Sequence, residues 1–166
     1  MERLTLPKGC EIMRHARDKY LSIGSVSRAT LREEDLIPAI VYALRNVRGV
    51  SRRAGKLLTE FNKLDTDDPE SLERMSYILE GLYNLADSAC PPFCYFSATE
   101  GDGSDIGCWP SFDSLEEATR YEDPEVWKDP DDGSKVPRSA KYRMVVSDHG
   151  NVSLYYRNGR EVWGVV

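Results

Sequence analysis

The sequence predicts an α+β fold in which N-terminal helices pack on a C-terminal antiparallel β-meander sheet. Three observations lead there. Apolar residues recur at helical spacing through residues 30–89. The double proline Pro91-Pro92 ends that pattern. Two turn dipeptides, His149-Gly150 and Asn158-Gly159, then cut the C-terminal stretch into three short β-like runs. At 166 residues, with 40% hydrophobic and 30% charged residues, the chain suits one globular domain. The predicted organisation is a weakly structured segment over 1–29 and a single α+β domain over 30–166, helical in 30–89 and sheet-containing in 90–166.

Residues 1–29 carry the weakest signals. Glu11 to Leu21 could form a short helix with Ile12, Met13, Ala16 and Tyr20 inward, and Gly24 with its neighbouring serines breaks it. At Thr30, followed by Glu33, the spacing is that of a capping box. Leu36, Ile37, Ile40, Val41 and Leu44 then form one apolar stripe. Pro38 lacks an amide, so either Thr30 to Ile37 is a separate turn or the helix bends there. A helix end is expected near Arg48-Gly49, and Ser51 can cap a second helix running to about Lys63.

Asp68-Pro69-Glu70 is a strong helix start, with Asp68 as cap and Pro69 in the first helical position. The apolar face that follows, Leu72 to Ala86, predicts a long helix and the main partner of the sheet. Phe93 to Ala98 reads as a strand, Glu100 to Asp105 as a glycine-rich loop, and Ser114 to Tyr121 as a short helix. Glu122 to Arg138 reads as an acidic surface loop that Val126 and Trp127 clip to the body. With two-residue turns in the terminal meander, Val145 would face the strand of Leu154, and Val152, Leu154, Tyr156, Trp163 and Val165 would share the core face. A three-residue first turn would invert part of that register.

Charge is unevenly placed. Residues 1–64 hold 13 Lys/Arg against 7 Asp/Glu, a net +6, whereas residues 65–166 hold 9 against 21, a net -12. Such a chain offers two electrostatically different surfaces to partners, or two faces that attract each other within the fold. No apolar run approaches a membrane span, and no secretory leader pattern is present, so a cytoplasmic location and no membrane partner are expected.

Thr30-Leu31-Arg32-Glu33-Glu34-Asp35-Leu36-Ile37-Pro38-Ala39, the segment Pro91 to Pro110, and Asp148-His149-Gly150-Asn151-Val152 through Glu161-Val162-Trp163-Gly164-Val165-Val166 together resemble uncharacterised small proteins carried by bacteriophages, prophages and plasmids. The resemblance spans about residues 30–166 and implies a mobile-element origin without an activity. By genomic analogy it suggests an anti-defence role, such as inhibition of a host complex in the manner of anti-CRISPR proteins.

The chemistry-bearing residues fit that expectation better than catalysis. An acidic protein-binding surface is expected from Glu100, Asp102, Asp105, Trp109, Glu116, Glu117, Trp127, Asp131 and Asp132, facing a host protein with a basic surface. An enzymatic alternative, hydrolytic or nucleotide-modifying, would bring Asp102, Asp105 and His149 together. A nucleic-acid adaptor would use the basic corner Arg48, Arg52, Arg53 and Lys56, which lacks the interleaved aromatics of a single-strand site. A zinc site can be drawn from Cys90, Cys94, Cys108 and His149, but strand alternation makes Cys94 a core side chain. The Glu100 to Asp105 loop lacks calcium-loop spacing. No metal or cofactor is expected.

Overall fold

The computed structural model describes residues 18–65, 68–120, 124–130 and 134–165. The element order is β1 (Gly24–Ser27), α1 (Glu33–Leu44), α2 (Ser51–Phe61), α3 (Pro69–Ala89), β2 (Cys94–Thr99), β3 (Asp102–Pro110), α4 (Phe112–Glu117), β4 (Val126–Lys128), β5 (Tyr142–Val146), β6 (Val152–Tyr156) and β7 (Glu161–Val165). This is the expected α+β class with helices ahead of most strands. The strands divide into two sheets: a three-stranded antiparallel one ordered β1-β3-β2, and a four-stranded mixed one ordered β4-β5-β6-β7.

Local chemistry explains the helices. Asp68 caps α3 by accepting from the Ser71 amide at 3.0 Å, with Pro69 immediately inside. The capping box expected at Thr30 does not form: α1 begins at Glu33 with Arg32 as its cap residue. The Thr30 hydroxyl donates to Asp35 at 2.9 Å, and Glu33 accepts from the Ser76 hydroxyl of α3 at 2.8 Å. Pro38 sits inside α1, a single helix rather than two pieces. Likewise Ser51 is the first residue of α2, and Val50 occupies the cap position.

Helices α1, α2 and α3 share a core with the inner face of the first sheet, including Ile37, Ile40, Leu44, Ile78, Leu82, Phe96, Ile106 and Cys108. The long helix therefore lies against the sheet whose strands β2 and β3 follow it directly. The terminal meander builds a second, smaller core of Leu115, Val126, Met144, Leu154 and Trp163. Ile23 and Cys94 touch both cores. The Trp163 indole adds a tie by donating to the Pro92 carbonyl at 2.9 Å.

Further details of the sequence expectation change: the helices pack on the three-stranded sheet, whereas the C-terminal meander has its own core and takes up β4 in parallel. Residues 18–29 join the folded body: Leu21 is buried, and Gly24–Ser27 pairs with β3 rather than acting as a break. Residues 11–17 of the short helix expected there lie outside the described residues. The register of β5 is also inverted. Met144, not Val145, pairs with Leu154 and enters the core, because the first turn has three residues, Asp148-His149-Gly150, closed by Ser147 N–H donating to Asn151 O at 2.9 Å. Gly150 supplies the positive φ, +83°, that such a turn needs at its last position.

Candidate protein-binding face and a cationic groove

The outer face of the first sheet is set by the pairing of β2 with β3. Strand alternation sends Phe96, Ile106 and Cys108 inward, so the paired Tyr95 and Trp109 point out. Trp109 lies over its neighbour strand, its indole N–H donating to Ser97 O at 3.0 Å. The chain then turns into α4, where Phe112 is left 51% exposed. Tyr95, Trp109 and Phe112, with Glu100 and Asp113 beside them, line a recess of about 310 Å³. This places aromatic faces next to carboxylates on a surface of a chain whose net charge is -6.

The predicted acidic set divides. Glu100 and Trp109 come together in the recess, and the exposed Glu116 and Glu117 follow Phe112 on α4. Asp102 is engaged locally at the start of β3, accepting from the Ser104 hydroxyl at 2.7 Å and its amide at 2.9 Å. These bonds, the hydroxyl's first, hold its carboxyl below the usual range. Asp105 is 17% exposed and faces Arg28 at 3.6 Å, so it is not a free surface charge. Trp127 sits on β4 opposite Arg143, in the other sheet. Asp131 and Asp132 lie outside the described residues. The expected loop from Glu100 to Asp105 is instead a tight turn leading into β3 at Asp102.

The residues of the enzymatic alternative do not assemble. His149, 84% exposed on the β5–β6 turn, has Asp148 at 3.7 Å, while Asp102 and Asp105 are bound to their own partners on the first sheet. The zinc set is divided as well. Cys90, Cys94 and Cys108 pack together at the end of α3 and the inner face of β2 and β3, away from the His149 turn. The contact with Cys108, burial and the Asp87 charge push the Cys90 thiol far up. Cys108 rises to about 12: the contact with Cys90 pulls it down, but Cys94 and burial outweigh it. The basic corner splits too. Arg53 and Lys56 line a shallow groove between α2 and α3, whereas Arg48 lines a different one.

That second groove, about 720 Å³, lies between residues 18–23 and the β6–β7 hairpin. Sequence reasoning missed it. Lys19 donates to the Tyr156 hydroxyl at 3.0 Å, and Tyr156 donates to Tyr20 at 3.1 Å. Lys19 and Arg160 also stand over the Tyr156 ring, 5.1 and 4.8 Å from its centroid. Hydrogen bonds to Tyr20 and Tyr156 lift Lys19 to about 12. Burial alone would raise Tyr156, but its bonds with Tyr20 and Lys19 and the nearby cations bring it below its ordinary value. Residues 137 apart in sequence make this cluster, so no local signal announces it.

The titrations have a definite sign. Lys19 is raised, so the contact's contribution is fully present below 10.5 and is lost as pH rises through about 12. Tyr156 is lowered, so its phenolate forms beside a still-charged lysine. In a spectrophotometric titration, Tyr156 is expected to ionise below its ordinary value, and Lys19→Met moves that step upward. An unchanged step would show that Lys19 does not govern it.

Comparison of the chain with models of protein families, with curated proteins and with solved structures finds no match. None of the described helices is long and apolar enough to cross a membrane.

Proposed function

We propose that this protein is a non-catalytic interaction protein that binds a basic partner protein through the recess of Tyr95, Trp109 and Phe112. The observation that carries the proposal is the exposed Phe112 beside Trp109, with Glu100 and Asp113 at the rim. A lysine or arginine side chain entering such a recess gains a cation–π contact from the rings and charge pairing from the rim. Aromatic anchors of this kind carry most of the energy of an interface, and the rim acids speed and orient the encounter. The resemblance to mobile-element proteins makes a host complex that handles nucleic acid a fitting partner, because its surface already carries Lys and Arg for phosphates.

The test is affinity capture of the partner from host extract with the full chain. A basic protein is expected to be retained at low salt and released as salt is raised. Trp109→Ala with Phe112→Ser should weaken its binding by about thirtyfold or more, the scale of a lost hot spot. Glu100→Gln with Asp113→Asn should mainly slow association. Retention of the partner by the aromatic double variant at native strength overturns the proposal.

A further inference from the structure

We propose that the groove between residues 18–23 and the β6–β7 hairpin is a binding site for a phosphorylated small molecule of about nucleotide size. It is a different surface from the aromatic recess, and the proposal stands independently of the partner-binding function.

The first argument is charge. The groove is lined by Lys19, Arg48 and Arg160 against Asp18 and Glu161. Its lining is thus net positive in a chain of net charge -6. Among the described residues, none of the three cations makes an ion pair. Cations left without a carboxylate partner in a net positive groove attract a small anion.

The second argument is preorganisation. Exposed lysines ordinarily lose side-chain entropy on gripping a ligand, but Lys19 is already held, by its bond to the Tyr156 hydroxyl at 3.0 Å and by its position 4.7 Å from the Tyr20 ring centroid. Arg160 is likewise stacked on Tyr156. Tyrosine hydroxyls and rings position these cations without neutralising them, as carboxylates would. Lys19 carries three N–H donors, spends one each on Tyr156 and Tyr20, and keeps one for a ligand. The hydroxyl chain runs from Lys19 to Tyr156 to Tyr20, which leaves the Tyr20 O–H as a terminal donor.

The third argument is stoichiometry of donors and space. A phosphate monoester has three terminal oxygens and close to two negative charges at neutral pH. The remaining Lys19 N–H, the Tyr20 O–H and the guanidinium groups of Arg48 and Arg160 supply enough donors for them, and planar guanidinium groups suit phosphate. The groove of about 720 Å³ exceeds what a phosphate group needs and falls in the usual range for small-molecule sites. Ile23 and Val162 also line it and give the uncharged body of the ligand an apolar wall.

The experiment is an NMR titration of the full chain with four probes: inorganic phosphate, a nucleoside 5′-monophosphate, a short 5′-phosphorylated oligonucleotide, and the same oligonucleotide without its phosphate. Saturable shifts of the Lys19, Tyr20, Tyr156 and Arg160 resonances are expected with the mononucleotide, with weaker binding of inorganic phosphate. Lys19→Gln and Arg160→Gln should each weaken the mononucleotide about tenfold or more, as loss of a charged hydrogen bond does, and Tyr20→Phe by a smaller factor. Both charged side chains are exposed, so these variants keep the fold, which an unchanged thermal transition verifies. Arg53→Gln with Lys56→Gln, in the other groove, should leave binding as it is. Absence of saturable shifts overturns the proposal, as does an affinity that Lys19→Gln and Arg160→Gln leave unaltered. Equal binding of inorganic phosphate overturns the assignment of a larger ligand. An oligonucleotide that binds more tightly than the mononucleotide, with or without its phosphate, overturns it in favour of nucleic acid.

Discussion

Trp163→Ala is expected to lower the unfolding free energy by about 3–5 kcal/mol, the cost of emptying a buried tryptophan site. Trp163 is 5% exposed and is the largest side chain in a core whose other buried members, among the described residues, are Leu115, Val126, Met144 and Leu154. So small a cluster cannot collapse around the cavity without dragging its strands, which places the cost toward the upper end. The indole also satisfies the Pro92 carbonyl. Trp163→Phe separates the two contributions: it retains most of the volume but unpairs that carbonyl, a loss of about 1–3 kcal/mol. Urea unfolding of both variants reads the difference, and a Trp163→Ala effect below that of Trp163→Phe would contradict this description of the second core.

Gly107→Ala should be the most damaging single-methyl addition in the first sheet. A Cβ there would stand 2.3 Å from Gly24 O and 2.9 Å from the Ser25 Cα, both backbone atoms that cannot swing aside. Either β1 leaves β3 or the sheet distorts, at a cost of about 1–3 kcal/mol. The pairing of β1 with β3 shifts register between Ser25 and Ser27, and glycine permits this close approach. The expected signature is local as well as global: amide exchange at 24–27 should accelerate more than in α3. Uniform acceleration, or none, would mean that β1 is not held by this contact.

Those two sites also show what could be read from the sequence. Helix α3 was legible because its start depends on adjacent residues, Asp68 accepting from Ser71 with Pro69 between them. Strand β1 was not, since Gly-Ser-Val-Ser has no apolar alternation and becomes a strand only because Gly107 lets it approach. In the second hairpin, two departures from the expected two-residue turn cancel. A three-residue turn, closed by Tyr156 N–H donating to Arg160 O at 2.8 Å, shifts the register by one, and a bulge between the pairs Leu154↔Trp163 and Tyr155↔Glu161 shifts it back. Trp163 therefore reaches the core face that alternation predicts. The first hairpin has the three-residue turn without a compensating bulge in β5, so Met144 replaces Val145.

The site was legible to the same extent. Trp109 and Glu100 could be singled out from the stretch after Pro91-Pro92, but sequence favoured Asp102 and Asp105 equally, and only side-chain geometry shows that Ser104 and Arg28 engage them. Phe112 enters the recess because α4 begins directly after β3, a boundary that sequence placed two residues later. The Lys19, Tyr20, Tyr156 and Arg160 cluster joins the two ends of the described chain and depends on tertiary structure alone.

The central claim, that the outer face of β2 and β3 with Phe112 receives basic side chains, is tested most directly by mapping binding on the full chain. An arginine-rich peptide titrated at low salt, followed by NMR, should shift the Trp109 indole and the Tyr95 and Phe112 ring resonances first. Glu100 and Asp113 should follow them, and all should revert as salt is added. Shifts centred instead on the exposed Asp148 of the His149 turn, or spread evenly over every exposed carboxylate with the Trp109 indole unmoved, would contradict it.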